Sequence, residues 1–247
     1  MNSSKTVERK TRAVILAAGK GTRMKTRTPK LLIEIEGKPI IRRVVEACSL
    51  PEIEKIYVVV GYEAELIKKA AGCNCTFLVQ REQLGTAHAL MQTRSVLKNY
   101  RGDLVVVVGD SPFLTRQLVR RLITTHQRSG AAATFLTTTY PEPPLYSRVV
   151  RHKNGRVINV VEENRCSPEQ KKIKEVFTSH YCFRAEIVFP LLPEIRNDNP
   201  KREYYLTDII AILMRHTYKV RALRVKNPLR VFGINDIRDL QWAMRKR

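Results

Sequence analysis

Leu104-Val105-Val106-Val107-Val108 is an unbroken apolar run, mostly β-branched, closed at once by Gly109-Asp110. A run with no polar face makes a strand that must be covered on both sides. The neighbouring segments supply the cover. Short β-rich runs at 12–18, 55–61, 75–80, 103–109 and 131–139 alternate with helical patterns at about 40–49, 62–71, 86–99 and 115–128. This alternation predicts an α/β fold: a Rossmann-like, mixed but mostly parallel sheet flanked by helices, with 104–108 as its central strand.

After Tyr140 the pattern changes. Pro141-Glu142-Pro143-Pro144 breaks regular structure, and Asn154-Gly155 between two valine-rich runs predicts a hairpin. Ser167-Pro168-Glu169-Gln170 has the serine, proline and glutamine of a capped helix start. The expected organisation is one domain over 1–247 with three parts. They are a half at about 12–140, an excursion or lobe at about 141–205, and a C-terminal return at 206–247. The return carries a helix at about 205–217, a strand at 219–226 and a last helix from Asp236.

With 247 residues, 43% of them hydrophobic and 28% charged, the chain can bury a core of its own. No apolar stretch reaches membrane-spanning length, and Met1 to Arg12 is polar and basic, unlike a signal peptide. Five cysteines, an odd number, fit a reducing cytoplasm better than a disulfide scaffold. Cys73 and Cys75 have no second pair or nearby histidine to complete a zinc site. The net charge of +22 exceeds what one anionic substrate needs. The cations are spread along the chain, with short clusters such as Lys171-Lys172 and Arg245-Lys246-Arg247, and no recognised nucleic-acid motif accompanies them. Nucleic acid is therefore not expected as the primary partner.

The chemistry is concentrated after the first strand. In Leu16-Ala17-Ala18-Gly19-Lys20-Gly21-Thr22-Arg23-Met24, small residues let the backbone approach an anion, and Arg23 with Lys30 adds positive charge. The P-loop requires Ser or Thr after Gly-Lys, whereas Gly21 follows Lys20. The dinucleotide fingerprint requires a small residue where Met24 stands. A nucleoside triphosphate held at the end of a strand suits the run better than either.

This loop resembles the signature of the sugar nucleotidyltransferases, and four further segments extend the likeness. They are Gln80-Arg81-Glu82-Gln83-Leu84-Gly85-Thr86-Ala87-His88, Gly109-Asp110-Ser111-Pro112, Glu203-Tyr204-Tyr205-Leu206-Thr207-Asp208-Ile209-Ile210 and Gly233-Ile234-Asn235-Asp236. Over about 12–240 the chain resembles the uridylyltransferase domain of the bifunctional UDP-N-acetylglucosamine pyrophosphorylase/glucosamine-1-phosphate acetyltransferases. It lacks their left-handed β-helix of hexapeptide repeats. The resemblance implies the nucleotide-diphospho-sugar transferase fold and a place in nucleotide-sugar biosynthesis. It also implies a reaction in which a sugar-1-phosphate attacks the α-phosphorus of an NTP, with UTP favoured, and releases pyrophosphate.

It further implies roles for named residues. Arg23 and Lys30 grip the triphosphate as the catalytic cations. Leu16, Ala17, Ala18, Gly19, Gly21, Thr22, Gln80, Gln83, Gly85, Thr86 and Gly109 bind the nucleotide. Asp110 and Asn235 hold Mg²⁺, a cation that takes few protein ligands. Ser147, Glu162, Phe177 and Tyr205 form the acceptor side, and His88 is structural. Gln80 has a donor and an acceptor that complement uracil, but a flipped amide pairs with cytosine equally well. A phosphate monoester is already anionic near neutral pH, so the reaction needs alignment and charge neutralisation rather than a general base.

The acceptor side departs from the family. Ser147 replaces a glycine and Phe177 an asparagine, which exchanges a hydrogen bond to the sugar for an aromatic face able to stack on it. The acceptor is thus N-acetylglucosamine-1-phosphate or a different phosphorylated compound. A non-catalytic nucleotide-binding relative and a basic nucleic-acid-binding protein are the remaining alternatives. Homo-oligomerisation is left open.

Overall fold

The valine run lies in the middle of the sheet. The computed structural model describes residues 9–24 and 28–246; Met1 to Glu8, Lys25 to Arg27 and Arg247, part of the basic termini noted above, lie outside the described residues. The strands are β1 (Thr11–Ala17), β2 (Glu34–Ile35), β3 (Lys38–Pro39), β4 (Ile53–Val60), β5 (Thr76–Val79) and β6 (Asp103–Val108). They continue with β7 (Ala133–Thr139), β8 (Arg148–Arg151), β9 (Val157–Val161), β10 (Glu175–Arg184) and β11 (Val220–Arg224). The principal sheet runs β11-β7-β10-β6-β1-β4-β5, with the β8–β9 hairpin attached to β10. Its pairs are parallel except where β10 runs antiparallel to β6 and β7, and where the hairpin pairs.

Helices cover both faces. One side carries α1 (Ile40–Cys48), α2 (Ala64–Ala71) and, further on, α5 (Arg116–Ser129) and α9 (Ile237–Arg245). The other carries α3 (Thr86–Met91), α7 (Ala185–Leu191) and α8 (Ile209–Arg215); α4 (Arg94–Leu97) and α6 (Pro168–Lys171) are short connecting turns. Along β6, Val105 and Val107 join the first core while Leu104 and Val106 join the second, which is the two-sided burial an all-apolar strand requires. Each of these fully buried side chains is worth about 1.5–3 kcal/mol relative to exposure.

Three sequence expectations change. Not all of 141–205 leaves the sheet: 175–184 threads back as β10 between β6 and β7. The polar Thr178-Ser179-His180 hides this strand in the sequence, because the register slips between Phe177 and Tyr181 and Ser179 takes φ +56°. The helix expected at 86–99 breaks at Gln92-Thr93, where the buried Thr93 hydroxyl donates to Leu90 O at 2.7 Å instead of leaving that carbonyl to the helix. Glu36 and Gly37, at φ +56° and +68°, make an unforeseen two-residue turn joining β2 and β3. The Asn154-Gly155 hairpin and the Ser167 capping box form as expected.

Candidate functional site

The parallel strands end together, and their loops surround a cleft of about 710 Å³. Gly109 N donates to Leu16 O at 2.9 Å, which ties the end of β6 to that of β1. Gln80 N donates to Val60 O at 2.8 Å and Tyr62 N to Ala18 O at 3.3 Å, adding the ends of β4 and β5. From β1 come Leu16, Ala17, Ala18 and Gly19, then Gly21, Thr22 and Arg23, with Lys30 from the following turn; all line the cleft. Gln80, Gln83, Gly85 and Thr86 line it from the β5–α3 loop, Asp110 from the tip of β6 and Asn235 from the C-terminal return. Ser147, Glu162, Phe177 and Tyr205 complete the expected set. Gly109 does not line the cleft; its part is the backbone bond to Leu16.

The charged groups meet across long sequence separations. Lys30 Nζ lies 2.5 Å from Asp110 Oδ2, and Arg23 Nη2 donates to Asn235 Oδ1 at 2.9 Å. The return of the chain is fixed by Tyr146, whose hydroxyl donates to Gly233 O at 3.1 Å and accepts from Gly233 N at 2.9 Å. Burial holds this phenol's pKa well above its ordinary value, so it remains a donor across the physiological range. Ile234 N donates to Asp110 O at 2.9 Å, and a Cβ on Gly233 would stand 3.1 Å from Asp110 Oδ1. A glycine before Ile234-Asn235 thus lets the return lie directly on the carboxylate.

Asn235 Nδ2 donates to Gly233 O at 3.2 Å, so its Oδ1 is the acceptor turned toward Arg23. One carboxylate and one amide oxygen are hard donors suited to a divalent cation such as Mg²⁺ that completes its shell with phosphate and water. Among the described residues no three His, Cys, Asp or Glu side chains gather into a denser metal site.

In the β5–α3 loop, Gln80 is buried and Gly85 stands at φ +106°. A Cβ there would fall 2.6 Å from Tyr204 O, so the loop requires glycine both for its dihedral and for its contact. Gln80 Nε2 donates to Gly85 O at 3.1 Å. His88 Nδ1 lies 3.0 Å from Gln80 Nε2 and 3.0 Å from Glu82 O, which makes this histidine a brace for the loop. Thr86 does not cap α3. Its hydroxyl accepts from Leu206 N at 2.9 Å and joins the β5–α3 loop to the segment leading into α8.

Just before α8, Thr207 Oγ1 donates to Glu162 Oε1 at 2.5 Å and fixes that carboxylate. Phe177 corrects an expectation. It is only 2% exposed and packs edge-on to Phe135 at 5.5 Å, so it forms cleft floor and core rather than a face on which a sugar could stack. Sequence reasoning missed Tyr146 as an anchor, and it missed Lys201 and Glu203, which also line the cleft. Glu203 opens the Glu-Tyr-Tyr-Leu-Thr-Asp segment, which was the available signal for that pair.

The comparisons with known proteins agree with this geometry. Residues 13–173 match the MobA-like NTP transferase domain. A Pelotomaculum thermopropionicum protein named bifunctional protein GlmU is 44% identical over 228 residues, 92% of this chain and 50% of the relative. A Shouchella clausii protein of the same name is 40% identical over 238 residues, 95% of this chain and 52% of the relative. The chain thus spans about half the length of the curated relatives it matches. A solved Bacillus anthracis structure named as a glucose-1-phosphate thymidylyltransferase superposes with a TM-score of 0.75 over 94% of this chain and 93% of its own, at 20% identity, a likeness of fold. With its family's domain matched over most of the length and its strand-end loops gathered around one cleft, the chain belongs to the MobA-like NTP transferases, on the nucleotide-diphospho-sugar transferase fold.

Proposed function

We propose that the protein transfers a uridylyl group from UTP to N-acetylglucosamine-1-phosphate or a closely related sugar-1-phosphate, releasing pyrophosphate. The matched NTP transferase domain supports nucleotidyl transfer. The observation that carries the reading is the crossed set of pairs Lys30–Asp110 and Arg23–Asn235 at the tips of β1 and β6. Two cations and two oxygen donors there match the needs of a triphosphate that must be held and neutralised. In this proposal 12–140 is the nucleotide half, and the acceptor enters from the side of Ser147, Glu162 and Tyr205.

Mg²⁺, held by Asp110 and Asn235, would supply charge neutralisation at the phosphates. The glycine loop offers backbone N–H groups to the phosphate oxygens. Arg23 and Lys30 offset the negative charge that two mutually repelling phosphates bring together. No residue need take a proton from the acceptor, whose phosphate is already ionised near neutral pH.

Uridine over cytidine is supported by the setting of Gln80. Gly85 O is a fixed acceptor, so the amide nitrogen faces it and the amide oxygen is left for the base. An oxygen there accepts from the N3–H of uracil or thymine, whereas cytosine, with an unprotonated N3, could reach it only through its N4 amine.

The test is a panel of sugar-1-phosphates against UTP, dTTP, CTP, GTP and ATP with pyrophosphate release as readout. Highest turnover with UTP and N-acetylglucosamine-1-phosphate is expected. Preference for CTP would overturn the base assignment, and preference for an unrelated phosphorylated compound would overturn the acceptor.

A further inference from the structure

Between Asp110 and Glu142 the chain has no acidic residue, and between Asp208 and Asp236 it has none either. The first stretch carries Arg116, Arg120, Arg121 and Arg128. The second carries Arg215, Lys219, Arg221, Arg224, Lys226 and Arg230. These 58 residues contribute +10 of the net +22. At the chain's average they would hold about five carboxylates, so the imbalance is local.

The tertiary structure puts α5 and β11 side by side, while Arg215 lies on α8 over the other face of the sheet. β11 is an edge strand paired in parallel with β7, and α5 lies over both. Lys219 Nζ donates to Ser129 O at 2.8 Å, joining the end of α5 to the start of β11. All ten cations are exposed, and none of them lines the cleft.

Carboxylates from other elements reach three of the ten cations. Glu52 pairs with Arg120 at 2.5 Å, Glu194 with Arg215 at 3.0 Å, and Glu175 is near Arg224. No ion pair to a carboxylate forms at Arg121, Arg128, Arg221, Lys226 or Arg230 among the described residues.

We propose that this α5–β11 edge binds the phosphate backbone of double-stranded nucleic acid without reading sequence. Eight of the ten cations are arginine, whose planar fork binds phosphate oxygens bidentately. Tyr218, 40% exposed, is the single large apolar side chain standing free in the two stretches. There is accordingly no row of aromatics for successive bases of a single strand, and no apolar wedge to enter a lipid surface. Backbone contact needs no base-reading motif, so the lack of one in the sequence does not bear on it.

Fluorescence anisotropy of the intact protein with a labelled 20-bp duplex tests this. About four phosphate contacts predict a loss of affinity on the order of 10²-fold between 50 and 200 mM salt. The variant Arg121→Gln/Arg128→Gln/Arg221→Gln/Lys226→Gln should bind at least tenfold more weakly at 50 mM salt, with melting temperature and pyrophosphate release unchanged. A charge-matched variant at the opposite sheet edge, Lys55→Gln/Lys69→Gln/Arg94→Gln/Lys98→Gln, should lose less than threefold. Equal loss in both variants would show that net charge alone acts and would overturn the proposal. So would tighter binding to phosphatidylglycerol vesicles than to the duplex. Should the fourfold variant fold poorly, Arg121→Gln/Arg221→Gln must lower the salt slope by about two; an unchanged slope overturns the proposal as well.

Discussion

Asp110 is held by Lys30 and overlaid by Gly233, so its carboxylate serves both charge balance and architecture. Asp110→Ala is expected to lower metal-dependent pyrophosphate release at least 10²-fold while the melting temperature shifts little, because its side chain borders the cleft rather than the core. Activity indifferent to that change would remove Asp110 from the site. Phe177 behaves in the opposite way. Phe177→Ala should cost about 3–5 kcal/mol of stability, read by denaturant unfolding, because it empties a buried aromatic cluster. A loss confined to acceptor KM would instead restore the stacking role. The residues of the glycine loop were legible from their types and spacing. The direction of Phe177 was not, since an aromatic residue on a strand faces whichever side the bulge at Ser179 gives it.

Elements carry the β5–α3 loop. The β5–α3 loop depends on Gly85 at φ +106° and on the bond from Leu206 N to Thr86. Gly85→Ala would drive a Cβ into the Tyr204 backbone and should weaken UTP binding by calorimetry at least tenfold. Thr86→Val, which keeps the shape and removes the acceptor, should cost about 1–3 kcal/mol of stability. Near-normal UTP affinity in Gly85→Ala would show that the loop is not built around that contact. Strands β1, β4 and β6 were evident from their β-branched runs. β10 was not, because a strand interrupted by Thr178-Ser179-His180 has no simple period-2 signature.

At the scale of the whole molecule, His126 and His180 are buried in the two-layered interior and held neutral by desolvation, with pKa values pushed down to about 3 and about 4. The unfolded chain protonates both near pH 6.5, whereas the folded chain does not until those lower values. Between them the unfolded state binds more protons, so stability falls as pH drops below about 6.5, by up to about 1.4 kcal/mol per pH unit for each histidine. Melting temperatures from pH 7.5 to 4.5 should decline, and His180→Gln should decline less steeply. A flat profile would contradict the burial of both rings. By itself the sequence determined the fold class and the identity of most cleft residues, because strand burial and glycine-rich strand-end loops leave local patterns that a linear reading detects. The tertiary structure alone decided how residues 80 or more positions apart pair across the cleft, where Phe177 points, and that α5 and β11 from two acid-free stretches share one edge. Those are properties of chain crossings, in which distance in space is independent of distance in sequence.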